Sequence, residues 1–255
     1  MAADPMDSPR IVELARGFYV RNAVDNMAWI DLGGLAVVVD ALEEPHLEDE
    51  VFADIERTLG PVPVGFVLNT HTHHDHIALN PAFVRRWSAK IINHEVTPLP
   101  AQGRWFEGPS RRVQMLPLTG THTPHDCVVW SPADRVLLVG DIFGYGLIPL
   151  IRPLDGESAQ LVRATYRRLI DLDPAVVVPG HGPICGKDEL VRWLEYFDWL
   201  IEQVRRSVAE GLDEAAITQR LAPPADMHGW WRFVQWKHAD SLRRVITAFG
   251  RGHMK

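Results

Sequence analysis

Residues 71–76 read His-Thr-His-His-Asp-His, four imidazoles and one carboxylate in six positions, just after the apolar run Val64-Gly65-Phe66-Val67-Leu68. So many ligand types this close together rarely serve packing. A strand-like run must deliver them to one place. Residues two apart on extended chain project to the same side, so His71 and His73 can grip one ion together. Asp75 and His76 lie past a change of chain direction and are better placed for a second. Imidazole and carboxylate without thiolate suit zinc, iron or manganese.

Three later segments carry what that cluster lacks. Gly120-Thr121-His122-Thr123-Pro124-His125-Asp126 precedes the apolar Cys127-Val128-Val129-Trp130. Gly140-Asp141 ends the run Arg135–Val139, and Pro179-Gly180-His181-Gly182 follows Ala175–Val178. Each sets a potential ligand beside a short β-branched run, and loops carried on rigid strands are where binding groups usually sit. Singly each fragment is weak; in this order behind the six-residue cluster they form a pattern.

On these residues the chain resembles the metallo-β-lactamase-fold superfamily. The family's H-x-H-x-D-H motif matches His71 to His76, and its later ligands match His122, Asp141 and His181. The resemblance implies that His71, His73 and His122 hold one metal, that Asp75, His76 and His181 hold a second, and that Asp141 bridges them. It spans about Val12 to Val208. One departure is local: where the family often reads H-T-P-G-H, this chain has His122-Thr123-Pro124-His125-Asp126. His125 and Asp126 therefore stay outside the ligand set. The implied cofactors are two divalent transition-metal ions, zinc first, iron or manganese next. The implied chemistry is hydrolysis by a metal-bridging hydroxide, with Asp141 and Asp75 as catalytic carboxylates and Asp75 orienting the water. No G-x-S-x-G elbow competes with it.

Length and composition agree with one globular enzyme. At 255 residues the chain suffices for a single α/β domain, and 46% hydrophobic with 23% charged residues is ordinary for such a domain. A formal net charge of −7 gives no general attraction to nucleic acid or anionic membrane. Cys127 and Cys185, the only two cysteines, suggest no disulfide framework, and both read as small buried hydrophobes. Met1 to Arg10 lacks the apolar core of a signal peptide and no run is long enough to span a bilayer, so cytoplasmic residence is the expectation.

Apolar periodicity predicts strands over Ile11–Val20, Met27–Leu32 and Leu35–Asp40 as an antiparallel or mixed meander. A helix over Pro45–Leu59, the strand Val64–Leu68 and a helix over Ile77–Trp87 follow. Strands near Lys90–Asn93, Arg111–Leu116, Cys127–Trp130, Arg135–Val139 and Ala175–Val178 alternate with loops and with helices over Glu157–Ile170 and Lys187–Ala209. The expected class is α/β, a four-layer αββα sandwich of two mixed sheets flanked by helices. Residues 1–210 would form the metal-binding domain, and 211–255 a C-terminal helical extension packed on it.

Pocket residues are harder to read. Tyr145 in the glycine-rich segment after Asp141 can donate to a developing oxyanion or pack as a connector. His125 and His94 are further candidates. The C-terminal run His228 to His238, with Trp230, Trp231, Phe233 and Trp236, reads as core or as a homodimer contact in preference to a substrate box. The expected partner is a small molecule bearing an ester, thioester, lactone or lactam bond, with no nucleic acid or membrane. The alternatives are a phosphodiesterase or nuclease of the same fold, or a non-catalytic metal-binding protein. The seven presumed ligands argue against the last, because closed structural zinc sites normally use four. In the family, one β-lactamase subclass has cysteine at the place of Asp141, and the di-iron oxygen- or nitric-oxide-reducing members have glutamate at that of His73.

Overall fold

The computed structural model describes residues 4–254. Its first sheet opens with β1 (Arg10–Ala15), β2 (Phe18–Asn22), β3 (Met27–Asp31) and β4 (Ala36–Val39), each antiparallel to the next. β5 (Val64–Leu68) and β6 (Lys90–Ile92) extend this sheet in parallel. The second sheet holds β7 (Arg104–Glu107), β8 (Arg112–Pro117), β9 (Cys127–Ser131), β10 (Val136–Gly140) and β11 (Val176–Pro179). Its order runs from β11 through β10, β9 and β8 to β7, and only the β10–β11 pair is parallel.

Side-chain alternation turns these sheets into layers. In β3 and β4, Ala28, Ile30, Val37 and Val39 face a core shared with Cys127, Val129, Val136 and Leu138 of β9 and β10. Their neighbours Met27, Trp29, Ala36 and Val38 face the opposite way, onto Val51, Phe52 and Ile55 of α1 (Glu48–Leu59) and Phe83 of α2 (Asn80–Trp87). On the second sheet Val128, Trp130, Leu137 and Val139 meet α3 (Gly156–Asp171), α4 (Lys187–Ala209) and α6 (His238–Gly250). A short α5 (Glu214–Arg220) joins the last two helices. Both faces of the central strands are buried, which is why they read as continuous apolar runs. The fold is the αββα sandwich of two mixed sheets.

Local chemistry sets the element ends. Asp155 accepts from the Ser158 amide at 2.7 Å while Ser158 Oγ accepts from the Asp155 amide at 2.9 Å, a capping box that starts α3. Glu48, Asp49 and Glu50 sit in the first turn of α1, where the helix dipole favours negative charge.

Three expectations need correction. The strand expected over Ile11–Val20 is two strands, because Gly17 at φ +75° turns the chain between β1 and β2. The helix expected from Ile77 begins at Asn80. Pro81 has no N–H to close a bond to the Ile77 carbonyl, and residues 74–76 form a tight turn instead, with the His76 amide donating to His73 O at 3.0 Å. Edge strand β7 was not expected at all, since Phe106 is its only buried residue.

Candidate metal centre

Every predicted ligand sits at one end of the sandwich. His71, His73, Asp75 and His76 follow the C-terminal end of β5, and His122 lies in the β8–β9 loop. Asp141 follows β10 and His181 follows β11. The seven side chains form two clusters, His71, His73, His122 and Asp141 in one and Asp75, His76, Asp141 and His181 in the other, with donor atoms of each within 4.8 Å of one another. Asp141 belongs to both. Its Oδ2 lies 3.5 Å from His122 Nε2 and 3.9 Å from His71 Nε2, while its Oδ1 lies 3.3 Å from both His76 Nε2 and His181 Nε2. His73 Nδ1 and His122 Nε2 converge at 3.1 Å, and Asp75 Oδ2 stands 3.1 Å from His181 Nε2. Gly180 permits this closure: a Cβ there would run into Asp141 Oδ1 and approach His76 Cε1 to 2.9 Å.

The inward-facing atoms fit metal ions. His71 Nε2, His76 Nε2 and Asp141 Oδ1 are buried without a hydrogen-bond partner among the described residues, and buried polar atoms left unpaired are costly unless an ion satisfies them. A donor set of five imidazoles and two carboxylates suits zinc, iron or manganese. The centre can therefore hold metal ions.

The outward-facing nitrogens are held by groups from distant parts of the chain. His76 Nδ1 pairs with Asp40 Oδ2 at 2.9 Å, His181 Nδ1 with Asp25 Oδ1 at 2.9 Å, and His122 Nδ1 with the Pro149 carbonyl at 2.5 Å. Asp40, at φ +59°, also accepts from the Thr70 amide at 2.7 Å and from Thr70 Oγ1 at 2.9 Å. Thr70 Oγ1 in turn lies 3.2 Å from His71 Nδ1. Asp126 gathers the ligand loop, accepting from the amides of Thr121, His122 and Thr123 at 3.1, 2.6 and 2.8 Å. Such partners fix ring orientation and tautomer. Asp25 and Asp40 were not among the sequence candidates.

Electrostatics follows from this packing. Burial among other imidazoles pushes the His71 pKa down to about 2. Burial also works against charge on His76, but Asp40 and Asp141 outweigh it and raise that pKa to about 10. The same balance lifts His181 to about 12, through Asp141, Asp25 and Asp75. Asp141 stays well below the ordinary carboxylate range, its burial overcome by His76 and His181.

Above the clusters opens a cavity of about 370 Å³, with Asp75, His122, Asp141 and His181 at its floor. The three residues expected in the pocket do not line it. The Tyr145 hydroxyl donates to the Pro183 carbonyl at 2.7 Å and its ring packs on Phe143 and Trp230, so this donor is already committed. His94 accepts from the Leu99 amide at 2.8 Å and faces His125 across 6.1 Å. The C-terminal aromatic run divides. Phe233 belongs to the core and Trp230 and Trp231 pack against it, while Trp231 also forms a cavity wall with Trp236 and Lys237. Lys237 and Arg232 were missed, because a charged residue inside an aromatic run carries no signal of where it points.

No curated protein matches the chain. Among solved structures it is similar to a metallo-beta-lactamase from Pontibacter korlensis, with a TM-score of 0.61 and 18% identity over 74% of this chain and 98% of that one. The inverting sec-alkylsulfatase Pisa1 from Pseudomonas sp. aligns with a TM-score of 0.68 and 15% identity, over 96% of this chain and 50% of its own. The chemotaxis sensor ODP of T. denticola, solved as a peroxy diiron species, aligns with a TM-score of 0.60 and 17% identity over 74% of this chain and 93% of its own. At these identities the likeness is one of fold. The Lactamase_B family, described as the metallo-beta-lactamase superfamily, matches residues 24–181, a span that opens beside Asp25 and closes on the His181 it supports. With all seven clustered side chains inside that match, the chain belongs to the metallo-beta-lactamase superfamily.

Proposed function

We propose that the protein is a dinuclear metal-dependent hydrolase that cleaves an ester, thioester, lactone or lactam bond in a small molecule. The observation that carries this reading is the pair of half-buried His/Asp clusters sharing Asp141 at the floor of a largely apolar cavity. A structural site would be closed and would need no common carboxylate. Bound divalent cations would supply Lewis acidity and bring the pKa of water down toward about 7. The chain's own contribution is placement. His71, His73 and His122 would hold one ion, and Asp75, His76 and His181 the other. Asp141 would bridge them, and Asp75 Oδ would accept a hydrogen bond from the attacking water. Leu147, Ile148 and Leu150 exclude bulk water from the cavity wall. Hydrolysis then adds water across the acyl bond to give an acid and an alcohol, thiol or amine.

Zinc is the metal we propose, with iron or manganese as the other candidates. We place the enzyme in the cytoplasm; no helix among the described residues is long and apolar enough to cross a membrane. The sulfatase likeness covers 96% of this chain, so sulfate esters belong among the test substrates. The test is turnover of a panel of esters, thioesters, lactones, lactams, phosphodiesters and alkyl sulfates. Activity should vanish on chelation and return with added metal. No metal-dependent turnover of any panel member would overturn the reading in favour of a binding protein.

A further inference from the structure

Lys237 stands apart from the other cations of the cavity. Arg232 donates to Asp4 Oδ2 at 2.9 Å, and Arg244 donates to Asp240 Oδ2 at 2.8 Å. Lys237 is 3% exposed and has no carboxylate or hydrogen-bond partner for its ammonium among the described residues. Its Nζ lies over the Trp231 ring at 4.1 Å and borders the same cavity as the metal clusters. The backbone makes a special effort to put it there. Arg232 adopts φ +55°, and the Lys237 amide donates to the Arg232 carbonyl at 3.3 Å, an i→i−5 turn of the kind often found at functional sites.

An ammonium on a buried stem, with only the cavity to solvate it and no counter-ion, is destabilising, so a fold that keeps one at a cavity wall gains from it elsewhere. Metal loading sharpens the point. Two divalent ions against the carboxylates of Asp75 and Asp141 leave a floor of about +2, and Asp141 no longer compensates the lysine. Leu147, Ile148, Leu150, Trp231 and Trp236 give the wall a large apolar face, and Asp25, Glu43, Arg232 and Arg244 are its other charged residues.

We infer that Lys237 is a specificity-determining residue of this cavity, holding an oxyanion group, carboxylate or sulfate, on a substrate whose remaining body is apolar. The inference rests on the cavity being the substrate site proposed above. Burial depresses the Lys237 pKa to about 7, and an anion seated against the ammonium would draw its proton back. Trp231 contributes its ring face to the same cation.

The test uses the zinc-loaded full chain and hexanoate, hexyl sulfate and neutral hexanamide as probes, with binding read by calorimetry. Hexanoate and hexyl sulfate should each bind wild type better than hexanamide. Lys237→Met, which keeps the apolar stem, should weaken one or both anions about tenfold or more, equivalent to about 1.4 kcal/mol, and leave hexanamide within about twofold. Anion contacts with the metals are common to both proteins, so the difference isolates Lys237. Lys237→Arg should restore part of the loss. Lys237→Met should also unfold at the same or a higher temperature, because it removes an uncompensated buried charge. Equal anion affinity in wild type and Lys237→Met, or a lower unfolding temperature for the variant, would overturn the inference. Its failure is separable from that of the hydrolase reading. Loss of anion preference without turnover on any panel substrate would keep this inference and sink the hydrolase. Turnover with anion affinity unchanged in the variant would do the reverse.

Discussion

Four imidazoles of the centre, His71, His76, His122 and His181, are held twice, once by the backbone that carries them and once by a partner on the outward-facing Nδ1. Asp141→Asn should test the shared position most directly. A neutral amide bridges two cations poorly, so metal content should fall from about two ions per chain toward one with far-ultraviolet dichroism unchanged. His125→Ala should keep both ions, since His125 belongs to neither cluster. Two ions retained by Asp141→Asn in elemental analysis would refute the bridging role. The outward-facing partners predict a graded effect. Asp40→Asn weakens the hold on His76 Nδ1 and should lower metal affinity by about 10–100-fold in a chelator competition; affinity equal to wild type would show that Asp40 serves only Thr70. The clustered side chains were legible in the sequence because they fall within six residues or near glycine at the ends of apolar runs. Their supports were not. Asp25 is 156 residues from His181, and nothing local marks an aspartate in a polar turn as the partner of a distant imidazole. Proximity in sequence also misled: His125 lies three residues from His122 yet points to His94 instead of the cavity.

Strands were the most legible elements, because β3, β4, β9 and β10 bury both faces and announce themselves as unbroken apolar runs. What failed was governed by single residues or by pairing. Gly17 split one run into a hairpin, Pro81 delayed α2, and β7 exists because β8 pairs with it. One such tertiary device clamps the sheets at the end away from the metal centre. Arg111, between β7 and β8, binds Asp134 in two bonds of 2.7 and 3.1 Å and reaches the Asp31 carbonyl of β3 and the Arg16 carbonyl of the β1–β2 turn, each at 3.1 Å. Burial pushes the Asp134 pKa up, but hydrogen bonds from Arg111 and Ser131 outweigh this and hold it below the ordinary value of 3.8. A depressed folded-state pKa contributes stability that is present above the unfolded value and lost as pH falls through the folded one. Asp134→Asn should therefore cost about 1–3 kcal/mol in urea unfolding at pH near 7, because it leaves Arg111 without its counter-charge. The gap between the two proteins should close as pH drops below about 4. Equal midpoints at neutral pH would show the clamp to be idle.

At the scale of the molecule, the metal centre and the cores are separate. The apolar cores lie between the sheets and beneath the helices on either side, and none of the seven clustered side chains belongs to them. Folding should therefore not wait on metal, in contrast to small zinc domains that lack a core of their own. The metal-free state should still be the less stable one, since buried donor atoms face each other unpaired and ions that bind only the folded state would stabilise it by mass action. With free zinc at about 1,000 times the dissociation constant this linkage is worth about 4 kcal/mol per site. For a chain of this size each kcal/mol moves the unfolding midpoint by about 2–4 °C. Exhaustive chelation should thus lower the midpoint by roughly 10 °C or more, while secondary structure at 25 °C stays that of the loaded protein. Adding zinc back should restore the midpoint along a saturating curve. The same titration on Asp141→Asn should show a smaller total rise, because one of the two sites is lost. Collapse of the dichroism on chelation would mean that the ions hold the sandwich together. A midpoint indifferent to chelator would mean that the clusters bind no ion in the folded state, and the hydrolase reading would fall with them.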